Sequence, residues 1–211
     1  MKIVVIGGTG LIGSNLVKHL NEQGHEAVAA APNTGVNTIT GEGLAEALKG
    51  ASVVVDVSNS PSWDDAAVLK FFEFLKGLAD ISMVGDKVHL PPVLFQPMAA
   101  DDVASEVAKV AVAPPVNGIV EIGGPEQFRV DELVRRRLAS LKDPREVVAD
   151  PNALYSGARL GEKTLVPSEG ARLGKTRFET WLSQPAAQIP SASQPSGVAV
   201  KKEKEVRQKA S

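Results

Sequence analysis

The chain has 211 residues, 43% of them hydrophobic and 23% charged, enough for one domain with a substantial core and no membrane-spanning run. Its 23 Lys and Arg against 25 Asp and Glu give a net charge of -2, which argues against a partner bound through phosphate neutralisation, so no nucleic acid is expected. With no cysteine, disulfides, thiol nucleophiles and iron–sulfur sites are excluded, and the absence of a leader-like N-terminus points to a cytoplasmic protein.

In chain order, the β-branched run at 2–6 ends in glycine and predicts a central strand buried on both faces. Leu11, Ile12, Leu16, Val17 and Leu20 then recur at helical spacing up to Gly24, where the chain can stop. A second strand at 26–30, a short helix at 42–49 closed by Gly50 and a third strand at 52–57 complete a βαβαβ order. Such alternation means parallel strands with helices on both faces, half of a doubly wound α/β fold.

Beyond Pro61 the pattern predicts a helix over 64–80, a strand at 87–90, a helix over 101–112, a strand at 119–122 and a helix over 131–141. A less periodic stretch to Leu182 packs beside the sheet as a small C-terminal cap. From Ser183 the composition turns to Pro, Ser, Gln and Ala and then to Lys and Glu, which reads as a disordered tail with net charge +3. The organisation expected is a domain over 1–182 followed by a tail over 183–211.

Gly7-Gly8-Thr9-Gly10-Leu11-Ile12-Gly13 lies between the first strand and the first helix, where a dinucleotide pyrophosphate would sit. Gly7 permits the tight turn, Gly10 lets backbone N–H groups approach phosphate, and Gly13 lets helix and strand pack closely. Thr9, Leu11 and Ile12 complete the turn, and the helix N-terminus supplies a positive dipole end. At the end of the second strand, Ala30-Ala31-Pro32-Asn33-Thr34 has neither an acid to repel a 2′-phosphate nor an Arg to grip it. Asn33 and Thr34 offer hydrogen bonds there, which leans the cofactor toward NADP over NAD.

The runs at 2–63, 88–112, 117–134 and 170–182 resemble the NmrA-like group of atypical short-chain dehydrogenases, whose glycine pattern is GxxGxxG. The resemblance covers nearly everything before Ser183 and implies an NAD(P)-binding Rossmann-like fold. It also implies that Asp56, Ser58 and Asn59 lie along the adenine and ribose; their composition alone suits a strand-end turn equally well. The activity implied is hydride transfer between NAD(P)H and a small carbonyl or quinone-like substrate. The alternative is a non-catalytic NAD(P)-sensing protein with a regulatory protein partner, since relatives include both kinds.

Two things the resemblance calls for are missing. The Tyr with a Lys four residues on, which serves reducing relatives as proton donor, is absent: the one Tyr, Tyr155, is followed by Arg159 and suits packing in the cap. No catalytic residue is thereby identified. The matching halves also meet too soon, with only 12 residues between Pro61 and Phe74 where the family needs at least one more βαβ unit of about 30 residues. An internal deletion at Phe71-Phe72-Glu73 is inferred, leaving the sheet incomplete, an open strand edge and a route to a homodimer.

The remaining features read as structural. Arg135, Arg136 and Arg137 spread around a helix and suggest a solvated face, while Asp101 and Asp102 suit the capping of a helix start. His19, His25 and His89 share no metal-ligand spacing, and Trp63 and Trp181 read as packing residues.

Overall fold

The computed structural model describes residues 1–58, 71–155 and 157–184. The first half follows the hydrophobic pattern closely. Strand β1 (Lys2–Ile6) is flanked in parallel by β2 (Glu26–Ala30) and β3 (Val53–Asp56), giving the order β2-β1-β3 with Ile6 level with both Ala30 and Asp56. Because β1 has partners on both sides and helices on both faces, Ile3, Val4 and Val5 are wholly buried.

Period-two alternation sends Ile3 and Val5 to one face, where Leu16 and Leu20 of α1 (Leu11–Glu22) and Ala104 and Ala108 of α4 (Ala100–Val112) cover them. The small alanines let α4 lie close against α1. On the opposite face Val4 and Ala30 pack with Val36 and with α2 (Leu44–Leu48). The fold is therefore a three-layer, Rossmann-like arrangement, partial in that the parallel sheet has three strands among the described residues. Val54 of β3, level with Val4 and on the same face, is 49% exposed and lies outside the cluster that α2 covers.

The C-terminal cap contains a second, aromatic core. After a single turn of 3-10 helix (Phe72–Phe74) come α3 (Leu75–Ile81), β4 (Met83–Val84), β5 (Lys87–Leu90) and β6 (Leu94–Phe95). After α4 come β7 (Ile122–Gly123), β8 (Phe128–Arg129), α5 (Val130–Ser140), β9 (Val147–Ala149), β10 (Arg172–Leu173) and α6 (Phe178–Leu182). β5 is the middle of a β4-β5-β9 sheet, antiparallel to β4 and parallel to β9, while β6 pairs with β8 and β7 with β10. Phe72, Phe95, Tyr155, Phe178 and Trp181 fill the space between these sheets and the helices α3 and α5.

Several expectations are corrected here. Of the helix predicted over 64–80, residues 64–70 lie outside the described residues, Phe71 is extended and bridges Met98, and the chain is helical from Phe72 to Ile81. The strand predicted at 119–122 shrinks to Ile122–Gly123, since Ile119 is 93% exposed and finds no partner strand. The three arginines are not one solvated face. Arg135 bonds Asp131 and the Val147 carbonyl, Arg136 lies over the Phe128 and Phe178 rings and pairs with Glu179, and Arg137 is 4% exposed, stacked on Trp181. Of the expected tail, Ser183 and Gln184 close α6 through bonds to Glu179 and Trp181; the rest lies outside the described residues.

Candidate dinucleotide site

The glycine turn is shaped by what surrounds it. Gly7 has φ +75, and a Cβ there would stand 2.8 Å from the Ser58 nitrogen, so both its conformation and the end of β3 require glycine. Its N–H donates to the Ala30 carbonyl at 2.9 Å, pinning the turn to β2. A Cβ on Gly13 would lie 2.1 Å from the Gly7 carbonyl oxygen, which is how α1 comes so close to the turn. Gly8, to which the motif assigns no task, is equally constrained: its Cβ would meet the Ala29 Cα at 2.6 Å.

Gly10 differs from these three. It has an ordinary φ of -77 and a Cβ there would touch only the Gly7 oxygen, at 3.3 Å. That contact is tight but single, so the fold requires glycine less here than at the other three positions, and Gly10 is exposed. Gly10 is also the N-cap of α1 and provides no side-chain cap, and the first turn carries no acid. α4 and α5, by contrast, carry Asp101 and Asp102, and Asp131 and Glu132, in their first turns. The first helical bond runs from the Ser14 N–H to the Gly10 carbonyl, so the N–H groups of Leu11, Ile12 and Gly13 have no acceptor among the described residues. Uncapped donors at a positive helix end, beside an open glycine, fit a pyrophosphate.

The turn is flanked by the chain segments that leave β2 and β3. Asn33 is exposed and accepts a hydrogen bond from the Thr9 hydroxyl at 3.0 Å, joining the two loops. Thr34, by contrast, is turned onto its own backbone: its hydroxyl accepts the Ala31 N–H at 2.9 Å and lies within hydrogen-bond distance of the Ala29 and Ala31 carbonyls, where its single proton is spent. Asp56 is exposed at the end of β3 and accepts the Ser58 N–H at 2.8 Å, a turn that also orders Ser58. Asn59 and Trp63 lie outside the described residues.

α4 is held by Glu73, which the sequence does not single out, and by Asp101 and Asp102, which it reads as caps. Both oxygens of Glu73 accept the Ala100 N–H at 3.2 Å, and one accepts the Trp181 Nε1–H at 3.0 Å. Burial raises the Glu73 pKa above its ordinary 4.5, and burial lowers that of Arg137 while Glu73 opposes the shift. The cap on α4 is therefore Glu73 rather than Asp101 or Asp102, whose side chains reach elsewhere. Asp102 accepts the Lys175 and Thr176 N–H groups at 2.9 and 2.8 Å, and Asp101 bonds His19 of α1 at 2.9 Å. Tyr155 packs in the aromatic core, 6.5 Å from the Phe95 ring centre, and burial pushes its phenol pKa up. Among the described residues no cluster of His, Asp and Glu could hold a metal, and no helix is long and apolar enough to cross a membrane.

Residues 3–93 match the NAD dependent epimerase/dehydratase family. The matched stretch contains the glycine turn and the three parallel strands of the first sheet from Ile3 onward. Among solved structures, a dTDP-4-dehydrorhamnose reductase from Clostridium acetobutylicum is similar at a TM-score of 0.52 and 12% identity, covering 82% of this chain and 95% of its own. A UDP-N-acetylglucosamine 4-epimerase from Bacillus cereus gives a TM-score of 0.49 and 16% identity over 90% of this chain and 98% of its own. The first of these supports the Rossmann-like fold. No curated protein matches the chain.

Proposed function

We propose that the chain binds NADP(H), or less favourably NAD(H), at the turn Gly7 to Gly13 and is an oxidoreductase of the NmrA-like, atypical short-chain dehydrogenase type. The observation that carries this reading is the uncapped start of α1 beside the open Gly10. The Leu11, Ile12 and Gly13 N–H groups would hold the pyrophosphate, and Asn33, Asp56 and Ser58 would line the adenosine side. The dinucleotide supplies a hydride for a small carbonyl or quinone-like substrate. The cytoplasm, where nicotinamide dinucleotides are plentiful, suits this activity.

A second reading is favoured by one observation: the single tyrosine is buried in the aromatic core of the cap. In it the protein is a non-catalytic sensor whose occupancy alters association with a regulatory protein, the central segment of the enzyme having been lost. Association of two copies through the edge of β3 belongs to either reading, and sedimentation velocity would detect it.

The test is isothermal titration of NADPH and NADH into the wild type and Gly10→Asp. The variant keeps an allowed backbone angle but places a carboxylate where phosphate is expected. Saturable binding to the wild type and loss in the variant support the site; a folded wild type that binds neither dinucleotide overturns it. NADPH consumption with a panel of quinones and aldehydes separates enzyme from sensor.

A further inference from the structure

We infer that Thr9 is a positioning residue acting through Asn33, and that this pair makes the site prefer the 2′-phosphate of NADP(H) by means of a neutral donor. The inference rests on the dinucleotide reading above and adds how the two cofactors are told apart.

Thr9 and Asn33 are 24 residues apart in sequence and meet because β1 and β2 run parallel, with Ile6 level with Ala30. After β2 the chain makes a turn of 3-10 helix at Pro32–Thr34 and leaves it through Gly35 at φ +81. Thr34 stabilises that turn with its hydroxyl, so it is committed to the backbone. Asn33 is the other polar side chain of the turn, and its oxygen is engaged at 3.0 Å by the Thr9 hydroxyl, not by the turn's own backbone. A carboxamide whose oxygen is so held presents its two N–H donors to whatever lies beyond.

That orientation selects by chemistry. A phosphate dianion only accepts hydrogen bonds and is matched by N–H donors, whereas a ribose 2′-hydroxyl is best anchored by an acceptor that takes its proton. In the segment 30–36 there is no carboxylate to serve as that acceptor. There is also no Lys or Arg in it, so within this segment discrimination falls to Asn33, and Asn33 is aimed by Thr9. Without the threonine hydroxyl, the carboxamide is free to turn over and offer its oxygen, and the preference disappears.

The experiment measures dissociation constants of NADPH and NADH, by quenching of protein fluorescence or by calorimetry, for five proteins: wild type, Thr9→Val, Thr9→Ser, Asn33→Ala and the Thr9→Val/Asn33→Ala double variant. A thermal melt of each confirms folding. We expect the wild type to favour NADPH by roughly tenfold, the order of one well-made hydrogen bond to a charged group. Thr9→Val and Asn33→Ala should each lose most of that preference, NADPH binding weakening more than NADH binding. The double variant should be no worse than either single one, and Thr9→Ser should keep the preference.

Equal weakening of both cofactors by Thr9→Val, or effects that multiply in the double variant, would mean that Thr9 acts directly, and the inference would fall while the dinucleotide site stood. A wild type without preference would do the same. Binding of neither cofactor by folded wild type would remove the dinucleotide reading and this inference together.

Discussion

The two cores of this protein are built from different materials. Around β1 the interior is made of Val, Ile, Leu and Ala, and the tightest contacts are between backbone atoms and missing side chains, as at Gly7, Gly8 and Gly13. In the C-terminal part, rings of Phe72, Phe128, Phe178 and Trp181 lie 5.2 to 5.9 Å apart and arginines stack on them. The first core leaves backbone N–H groups open at the start of α1; the second spends its side chains on itself. Chemistry is thus expected where packing is sparest, and stability where aromatic area is buried.

The largest effect should come from the aromatic core. Phe178→Ala removes a fully buried ring that touches Phe72, Phe128 and Trp181, and should cost about 3–5 kcal/mol in chemical denaturation. A loss below ~1 kcal/mol would show that this cluster does not support the fold as described.

Next is Gly13→Ala, whose methyl would collide with the Gly7 carbonyl and the Gly8 Cα and should cost about 1–3 kcal/mol. Gly10→Ala, by comparison, should cost less, about 0.5–1 kcal/mol, as an alanine at an N-cap whose methyl crowds the Gly7 oxygen alone. If the two behave alike, the distinction between glycines that the fold needs and the one that a ligand needs is wrong.

Glu73 joins the two regions, and its effect is read through pH. Burial raises its pKa in the folded protein, so folding favours the protonated form: its contribution to stability is greatest below pH 4.5 and is lost as pH rises through the folded value. Glu73→Gln should remove that slope, measured as the difference between denaturation midpoints across the series. Asp143 has the opposite sign. The hydrogen bonds from Arg145 lower its pKa, so its contribution is present above pH 3.8 and is lost as pH falls through the folded value. A slope unchanged in Glu73→Gln would contradict the burial of this carboxylate.

The smallest effect expected is that of Asp56→Ala, which deletes the acceptor for the Ser58 N–H at an exposed turn and should cost about 0.5–1 kcal/mol. A much larger loss of dinucleotide affinity than of stability would give Asp56 a part in binding beyond its turn.

The contrast between the regions also governs what the sequence discloses. β1, α1, β2 and β3 are readable because each is a local pattern: a β-branched run, a helical repeat of Leu16 and Leu20, and glycines at the junction. In the C-terminal part the strands are two to four residues long and pair over long separations, as Val88 with Val147 and Ile122 with Arg172, so no period survives. The burial of Arg137 is invisible for a related reason, since its neighbours Arg135 and Arg136 have the same composition and different surroundings. At the site, the glycines are legible as a motif, but the link from Thr9 to Asn33 is not, because it depends on the parallel register of β1 and β2. The capping of α4 by Glu73 follows only once α6 has brought Trp181 alongside.

The central claim is that the amide groups at the start of α1 receive a dinucleotide. The most direct measurement is the amide proton–nitrogen NMR spectrum of labelled wild type during titration with NADPH. The account predicts saturable shifts at Thr9, Leu11, Ile12 and Gly13, with the amides of β9 in the C-terminal sheet unmoved. A folded protein in which the Thr9 to Gly13 amides stay still at saturating NADPH would contradict it.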